Sequence, residues 1–199
     1  MLSAATRQTQ IESNTMDKPV FDGAAFVSID LDTGQVSTKE HDRLALVTKE
    51  ILSLLAPSAE LLSAAKGWGE THGKSLNRQV DPGQAGIESL ASHLGGTLAV
   101  FGMGRVALEL RHDALLFRVS EEEATFTDGM AMVISGFLSG YIEVVSGRSF
   151  QVLDLGAVGA DRIFWAANPG AVDEVKRAIG RGTRPLEAID ALGMGGASC

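Results

Sequence analysis

The chain has 199 residues, 45% hydrophobic and 21% charged, which fits one globular domain with a core that needs no covalent staples. Its formal net charge of −8 argues against a nucleic-acid backbone or an anionic membrane surface as partner. The one cysteine, Cys199, stands last, which excludes a disulfide or thiolate metal cage within one chain and fits a reducing, cytoplasmic location.

Residues 1–20, with Gln8, Gln10, Glu12 and Asp17, are too polar for a signal-peptide core and read as a mobile N-terminal segment. Phe26, Ile29 and Leu31 lead into Asp32-Thr33-Gly34 and Val36, the pattern of a short hairpin with a Gly turn. From Arg43 the period changes: Leu44, Val47, Ile51, Leu54 and Leu55 fall at helical spacing, and Pro57 ends that helix. Ser58 caps the next, in which Leu61, Leu62, Ala65, Trp68 and His72 share a face. Asp81-Pro82, with Gln84 completing a capping box, opens a helix through Ile87, Leu90, Ala91 and Leu94 that Gly95-Gly96 is expected to stop.

Strands follow. Leu98 to Phe101 reads as one; Val106, Leu108 and Leu110 alternate; Leu115, Phe117 and Val119 return across a turn at His112-Asp113. Glu121 to Glu123 reads as a solvated loop. From Thr127 to Val145 the residues Met130, Val133, Ile134, Phe137, Leu138, Tyr141, Ile142 and Val145 make a broad apolar stripe, the pattern of a buried helix. Ser135, Gly136, Ser139 and Gly140 notch one side of it. Each interior Gly costs about 1 kcal/mol relative to Ala, so the pair implies close approach of another backbone or of a ligand. The longest apolar run, Gly129 to Ile142, falls short of the ~20 residues that a transmembrane helix needs.

Two more strands, Phe150 to Leu155 and Arg162 to Ala166, precede a helix capped by Asn168-Pro169, carried by Val172, Val175 and Ile179, and ended by Gly180. The order implies an α+β fold, an antiparallel sheet packed against several helices. Its expected extent is a single domain over residues 21–192, with a flexible Gly-rich tail at 193–199.

Motifs that carry chemistry are sparse. Gly102-Met103-Gly104-Arg105-Val106-Ala107 matches the dinucleotide fingerprint, but that fingerprint needs a helix after its glycines, and the alternation from Val106 is a strand's. Asp30-Leu31-Asp32-Thr33-Gly34 reads as turn chemistry, and Ser63-Ala64-Ala65-Lys66 lacks the companion motifs of an acylating serine enzyme. No two of His41, His72, His93 and His112 stand at metal-ligand spacing. His72, four residues after Trp68 on the apolar face, reads as a core histidine or as a polar contact to a ligand. Asp128, Glu143, Asp154 and Asp161 read as caps and surface charges.

The stretch from Asp128 to Trp165 resembles the 4-vinyl reductase-type small-ligand-binding domain, which belongs with the TRAPP transport subunits and haem-based nitric-oxide sensors. The carrying residues are Gly136-Phe137-Leu138-Ser139-Gly140, Val145-Ser146-Gly147-Arg148, the strand ending Leu153-Asp154-Leu155, and Gly159. Upstream, Gly102-Met103-Gly104-Arg105-Val106 is similar to the family's strand opening, and Gly67, Gly69 and Gly73 to its early Gly-bearing helix; the likeness spans residues 43–180 loosely. Where many such domains place metal-binding cysteines on the last two strands, this chain has Leu155 and Ile163, so no structural zinc is expected. The resemblance implies a mixed fold, dimerisation through helices and a buried pocket for a hydrophobic or tetrapyrrole-like ligand.

The resulting expectation is a non-catalytic carrier or sensor domain, a cytoplasmic homodimer. Its candidate ligand-binding residues are Trp68, His72, Phe101, Met103, Gly136, Phe137, Gly140, Tyr141 and Trp165. The alternatives are a TRAPP-like scaffold subunit, with Leu44, Val47, Ile51 and Leu54 as its seam, and a nucleotide-dependent enzyme built on Gly102 to Ala107.

Overall fold

A computed structural model of the chain describes residues 27–30, 35–38, 43–44, 54–79, 87–111, 114–120, 126–159 and 161–195. Strands β1 (Val27–Asp30) and β2 (Gln35–Thr38) pair antiparallel with Ile29 opposite Val36, so the predicted hairpin forms. Its Asp32-Thr33-Gly34 turn lies outside the described residues, as do residues 1–20. β3 (Arg43–Leu44) adds to β2 with Leu44 opposite Val36. The helix expected from Arg43 therefore does not begin there. The open edge of β2 takes the backbone groups that a first helical turn would leave without partners. Val47 and Ile51 lie outside the described residues.

Helix α1 (Ala59–Gln79) starts as predicted, with the Ser58 hydroxyl accepting the Leu61 N–H at 3.1 Å. Ala65 and His72 are buried on its inner face, whereas Leu62 is exposed. Helix α2 (Ile87–Val100) runs straight through Gly95-Gly96, and Leu98 to Val100 form its last turn rather than a strand. Leu94 and Leu98 are fully buried. Burying each stabilises by about 2 kcal/mol, which outweighs about 1 kcal/mol lost per glycine. Its predicted start at Asp81-Pro82-Gly83-Gln84 lies outside the described residues.

Strands β4 (Arg105–Arg111), β5 (Ala114–Ser120), β6 (Gln151–Val158) and β7 (Asp161–Ala167) form an antiparallel sheet in the order β4-β5-β7-β6. The buried helix α3 (Asp128–Ser146) lies between the two hairpins in sequence. Thr127 caps it by accepting the Met130 N–H, and Gly147, at φ 64°, closes it on the Glu143 carbonyl. Helix α4 (Pro169–Gly180) begins under the Asn168 side chain as predicted. α5 (Pro185–Gly195) runs past Gly193, where a loose tail was expected.

Strand alternation divides the core between the two faces of this sheet. Phe117, Val119, Phe164 and Ala166 face the apolar cluster shared with α1, α2 and α3. Ala114, Leu116, Ile163, Trp165 and Ala167 face α4 and α5. The fold is the predicted α+β type, with helices packed against an antiparallel sheet. By length and composition α3 could cross a bilayer, but most of it is buried inside the fold.

Candidate functional site

The site begins with the contact between α1 and α3. A Cβ on Gly136 would fall 2.8 Å from both the Ala65 Cβ and the Leu62 carbonyl oxygen, and one on Gly140 would fall 3.0 Å from the Glu70 nitrogen. The relation is reciprocal. A Cβ on Gly69 would meet the Tyr141 nitrogen at 2.9 Å, and one on Gly73 the Tyr141 carbonyl oxygen at 2.9 Å. Glycines on both helices thus bring the two backbones together. Lys66 and Glu143 close one side with a 2.7 Å ion pair, and the Glu143 carboxylate raises the Lys66 pKa. Asn77 Nδ2 donates to the Val144 carbonyl at 3.2 Å at the far end. The notches at Gly136 and Gly140, candidate ligand contacts by sequence, are occupied by the α1 backbone.

On that rigid pair sits a group of rings. Trp68 has its ring centroid 4.3 Å from Phe137, 4.7 Å from Phe101 and 5.6 Å from His72. His72 lies 5.9 Å from Phe101 and 6.0 Å from Phe137 and is 2% exposed. Phe137 continues to Tyr141 at 5.8 Å, and Tyr141 stacks on His93 of α2 at the same spacing. The Tyr141 hydroxyl and His93 Nδ1 share a 2.8 Å hydrogen bond. Tyr141 is fully buried, and burial pushes its phenol far above the ordinary tyrosine range. Edge-to-face and tilted ring pairs of this kind add about 0.5–1.5 kcal/mol each beyond the area they bury.

The structure thus unites Trp68, His72, Phe101, Phe137 and Tyr141, with Met103 buried in the same apolar cluster. Trp165 stands apart, on the α4 and α5 side of the sheet. His93 is the member that sequence reasoning passed over. Its signal was its place on the Leu90 and Leu94 side of α2, three residues after Leu90 and four before the buried Thr97.

The other motifs fall into structural roles. Gly102 and Gly104, at φ 68° and 92°, turn α2 into β4, and the Gly102 and Met103 N–H groups bond back to Ala99 and Leu98. A strand follows these glycines, so no helix N-terminus meets a pyrophosphate there. Of the four late carboxylates, Asp128 and Asp154 converge on Arg162: its Nη2 lies 2.6 Å from Asp154 Oδ2 and 3.3 Å from Asp128 Oδ1. Asp161 accepts from Ser120. Leu155 and Ile163 belong to the apolar cluster beneath α4 and α5. Among the described residues, no group of three or more His, Cys, Asp or Glu is placed to hold a metal ion.

No protein-family model and no curated protein matches the chain. Among solved structures, the chain is similar to the phenol-responsive sensory domain of the transcription activator PoxR, crystallised with phenol. The two are 12% identical with a TM-score of 0.48, over 72% of this chain and 85% of that one.

Proposed function

We propose that the chain is a non-catalytic small-molecule-binding domain, a cytoplasmic carrier or sensor that holds a hydrophobic or tetrapyrrole-like ligand against the aromatic cluster and works as a homodimer. One observation carries the reading: Trp68, His72, Phe101 and Phe137 meet within 6.0 Å on the α1–α3 pair. Three of these walls are aromatic and one is a buried imidazole. That is the composition of a site that takes an apolar body and orients it by one polar contact. The resemblance of residues 128–165 to the vinyl-reductase-type domain points the same way.

The test is an absorbance spectrum and native mass spectrum of the purified protein, followed by titration with haemin and with 8-anilinonaphthalene-1-sulfonate. Saturable binding that Trp68→Ala weakens supports the reading. A colourless, ligand-free protein that binds neither probe sinks it. Sedimentation across a concentration series tests the dimer.

The packing at Gly136 and Gly140 favours a second reading, a TRAPP-like interaction subunit. Notches filled by α1 serve tight packing rather than a ligand. A stable dimer that binds neither probe would favour it.

A further inference from the structure

We infer that α2 is a two-part element in which the half before Gly95-Gly96 opens over the aromatic cluster while the half after it stays fixed, with the His93–Tyr141 hydrogen bond as the latch.

Burial changes abruptly along the helix. Residues 89–93 are all half-buried, whereas Leu94, Thr97 and Leu98 are fully buried. The two glycines follow directly behind Leu94, one residue past that change, and paired small residues are where helices bend. The Thr97 hydroxyl donates to the His93 carbonyl four residues back at 2.8 Å, across the same point. Such back-bonding competes with the helix's own ladder and bends it. A sequence that reads as a helix stop has thus become a weak point inside a continuous helix.

The neighbours differ in how they hold the two halves. The later half is anchored by Leu98 in the core and by the turn at Gly102, and the pivot by Leu94, the core residue just before Gly95. Among the described residues, the earlier half rests on the same cluster only through the half-buried Leu90 and reaches α3 through His93, whose ring stacks on Tyr141 and whose Nδ1 shares the hydroxyl bond. The opposing wall cannot yield, because α1 and α3 are in backbone contact at four glycines. Any opening of the ring cluster on this side therefore falls to the first half of α2. That movement would uncover Tyr141 and, behind it, Phe137.

The inference rests on the ring cluster being a ligand site, but its test needs no ligand. Hydrogen exchange read by mass spectrometry on the ligand-free chain would compare peptides before and after Gly95 with those from α1 and α3. The first half of α2 should exchange faster than the second. Tyr141→Phe, which keeps the ring and deletes the hydroxyl, should speed exchange of the first half about tenfold and leave α1 unchanged. Gly95→Ala should slow it about fivefold, since Ala is the better helix former. The added methyl has room, with the Val106 carbonyl oxygen 3.9 Å away. Equal acceleration in α1, α2 and α3 by Tyr141→Phe, or exchange of α2 as one unit in all three proteins, would overturn the inference. Opening as described in a protein that binds neither probe would remove the ligand reading and leave the hinge standing.

Discussion

Gly140 of α3 lies so close to the Lys66 carbonyl of α1 that no Cβ fits between them. The obstacle is backbone on a packed helix, so it cannot turn aside as a side-chain tip would. Overpacking of this kind costs about 1–3 kcal/mol, more than the ~1 kcal/mol that Ala gains over Gly in helix propensity. Gly140→Ala should lower the unfolding free energy by about 1–2 kcal/mol, and Gly140→Leu should prevent folding. Urea denaturation monitored by circular dichroism measures the first and soluble yield the second. Leu tolerated at both Gly136 and Gly140 would show that α1 can stand off from α3.

Gly67 supplies the contrast on the same helix. A Cβ there would meet nothing within 4 Å. Gly67→Ala should stabilise the chain by about 0.5–1 kcal/mol through helix propensity alone. A fall in stability would mean that this exposed face of α1 is in contact with something in solution.

These two glycines show how far the sequence could be read. The spacing of Gly136 and Gly140 on an apolar helix announced a close approach, but a single sequence cannot say what approaches. The answer, α1, lay some 70 residues upstream, where Gly67, Gly69 and Gly73 look alike in sequence and differ in role. Only Gly69 and Gly73 face α3. The hairpins and the caps at Ser58 and Asn168 were legible because their causes are local. β3 and the passage of α2 through Gly95-Gly96 were not, because a neighbouring strand and a packed core decide them. The sequence does not separate Trp165 from Phe137 for a similar reason. Ile163, Phe164, Trp165, Ala166 and Ala167 are all buried, so no polar alternation marks which side faces which layer.

The layer assignment of the two tryptophans can be checked by binding. Trp68 stands among the rings, and Trp165 is on the far side of the sheet. Trp68→Leu should weaken haemin or 8-anilinonaphthalene-1-sulfonate binding about tenfold, the loss of about 1.4 kcal/mol that removing ring contacts implies. Trp165→Phe should leave the affinity within twofold, roughly the spread expected of a residue that does not touch the probe. The reverse order would place the ligand between the sheet and α5.

Arg162 joins three segments that sequence kept apart. Its guanidinium forks onto Asp154, with Nε 3.1 Å from both carboxylate oxygens, reaches Asp128 at the start of α3, and has Nη1 3.5 Å from the Phe126 carbonyl. The side chain is 14% exposed and that of Asp154 27%, so solvent screens the pair only partly. Arg162→Met should destabilise by about 1–3 kcal/mol, because it removes the guanidinium that bridges Asp154, Asp128 and the Phe126 carbonyl. Arg162→Lys should recover less than half of that, since an ammonium cannot fork. In the double variant with Asp154→Asn, the loss from Arg162→Met should shrink. Full additivity in that thermodynamic cycle would mean that the pair contributes nothing.

Tyr141 gives the fold a dependence on alkaline pH. Its phenol is fully buried and bonded to His93, and burial holds its pKa above that of an exposed tyrosine. The folded chain therefore keeps this proton at pH values where the unfolded chain releases it. The stability that results is fully present below about pH 10, the unfolded tyrosine value, and is lost as pH rises from there towards the folded value. The slope approaches about 1.4 kcal/mol per pH unit at most. Tyr141→Phe removes the titrating group together with one hydrogen bond. At about pH 8 the variant should be less stable than the wild type by about 1 kcal/mol, and above about pH 10 that disadvantage should shrink. Lys66, held protonated by Glu143, loses its pairing in the same alkaline range. It does so in both proteins and cancels in the difference. Urea unfolding of the two proteins in parallel, stepped through this range, reads the effect directly. A constant gap between the curves would mean that the Tyr141 phenol ionises in the folded chain as freely as in the unfolded one, and that the ring cluster is open to water.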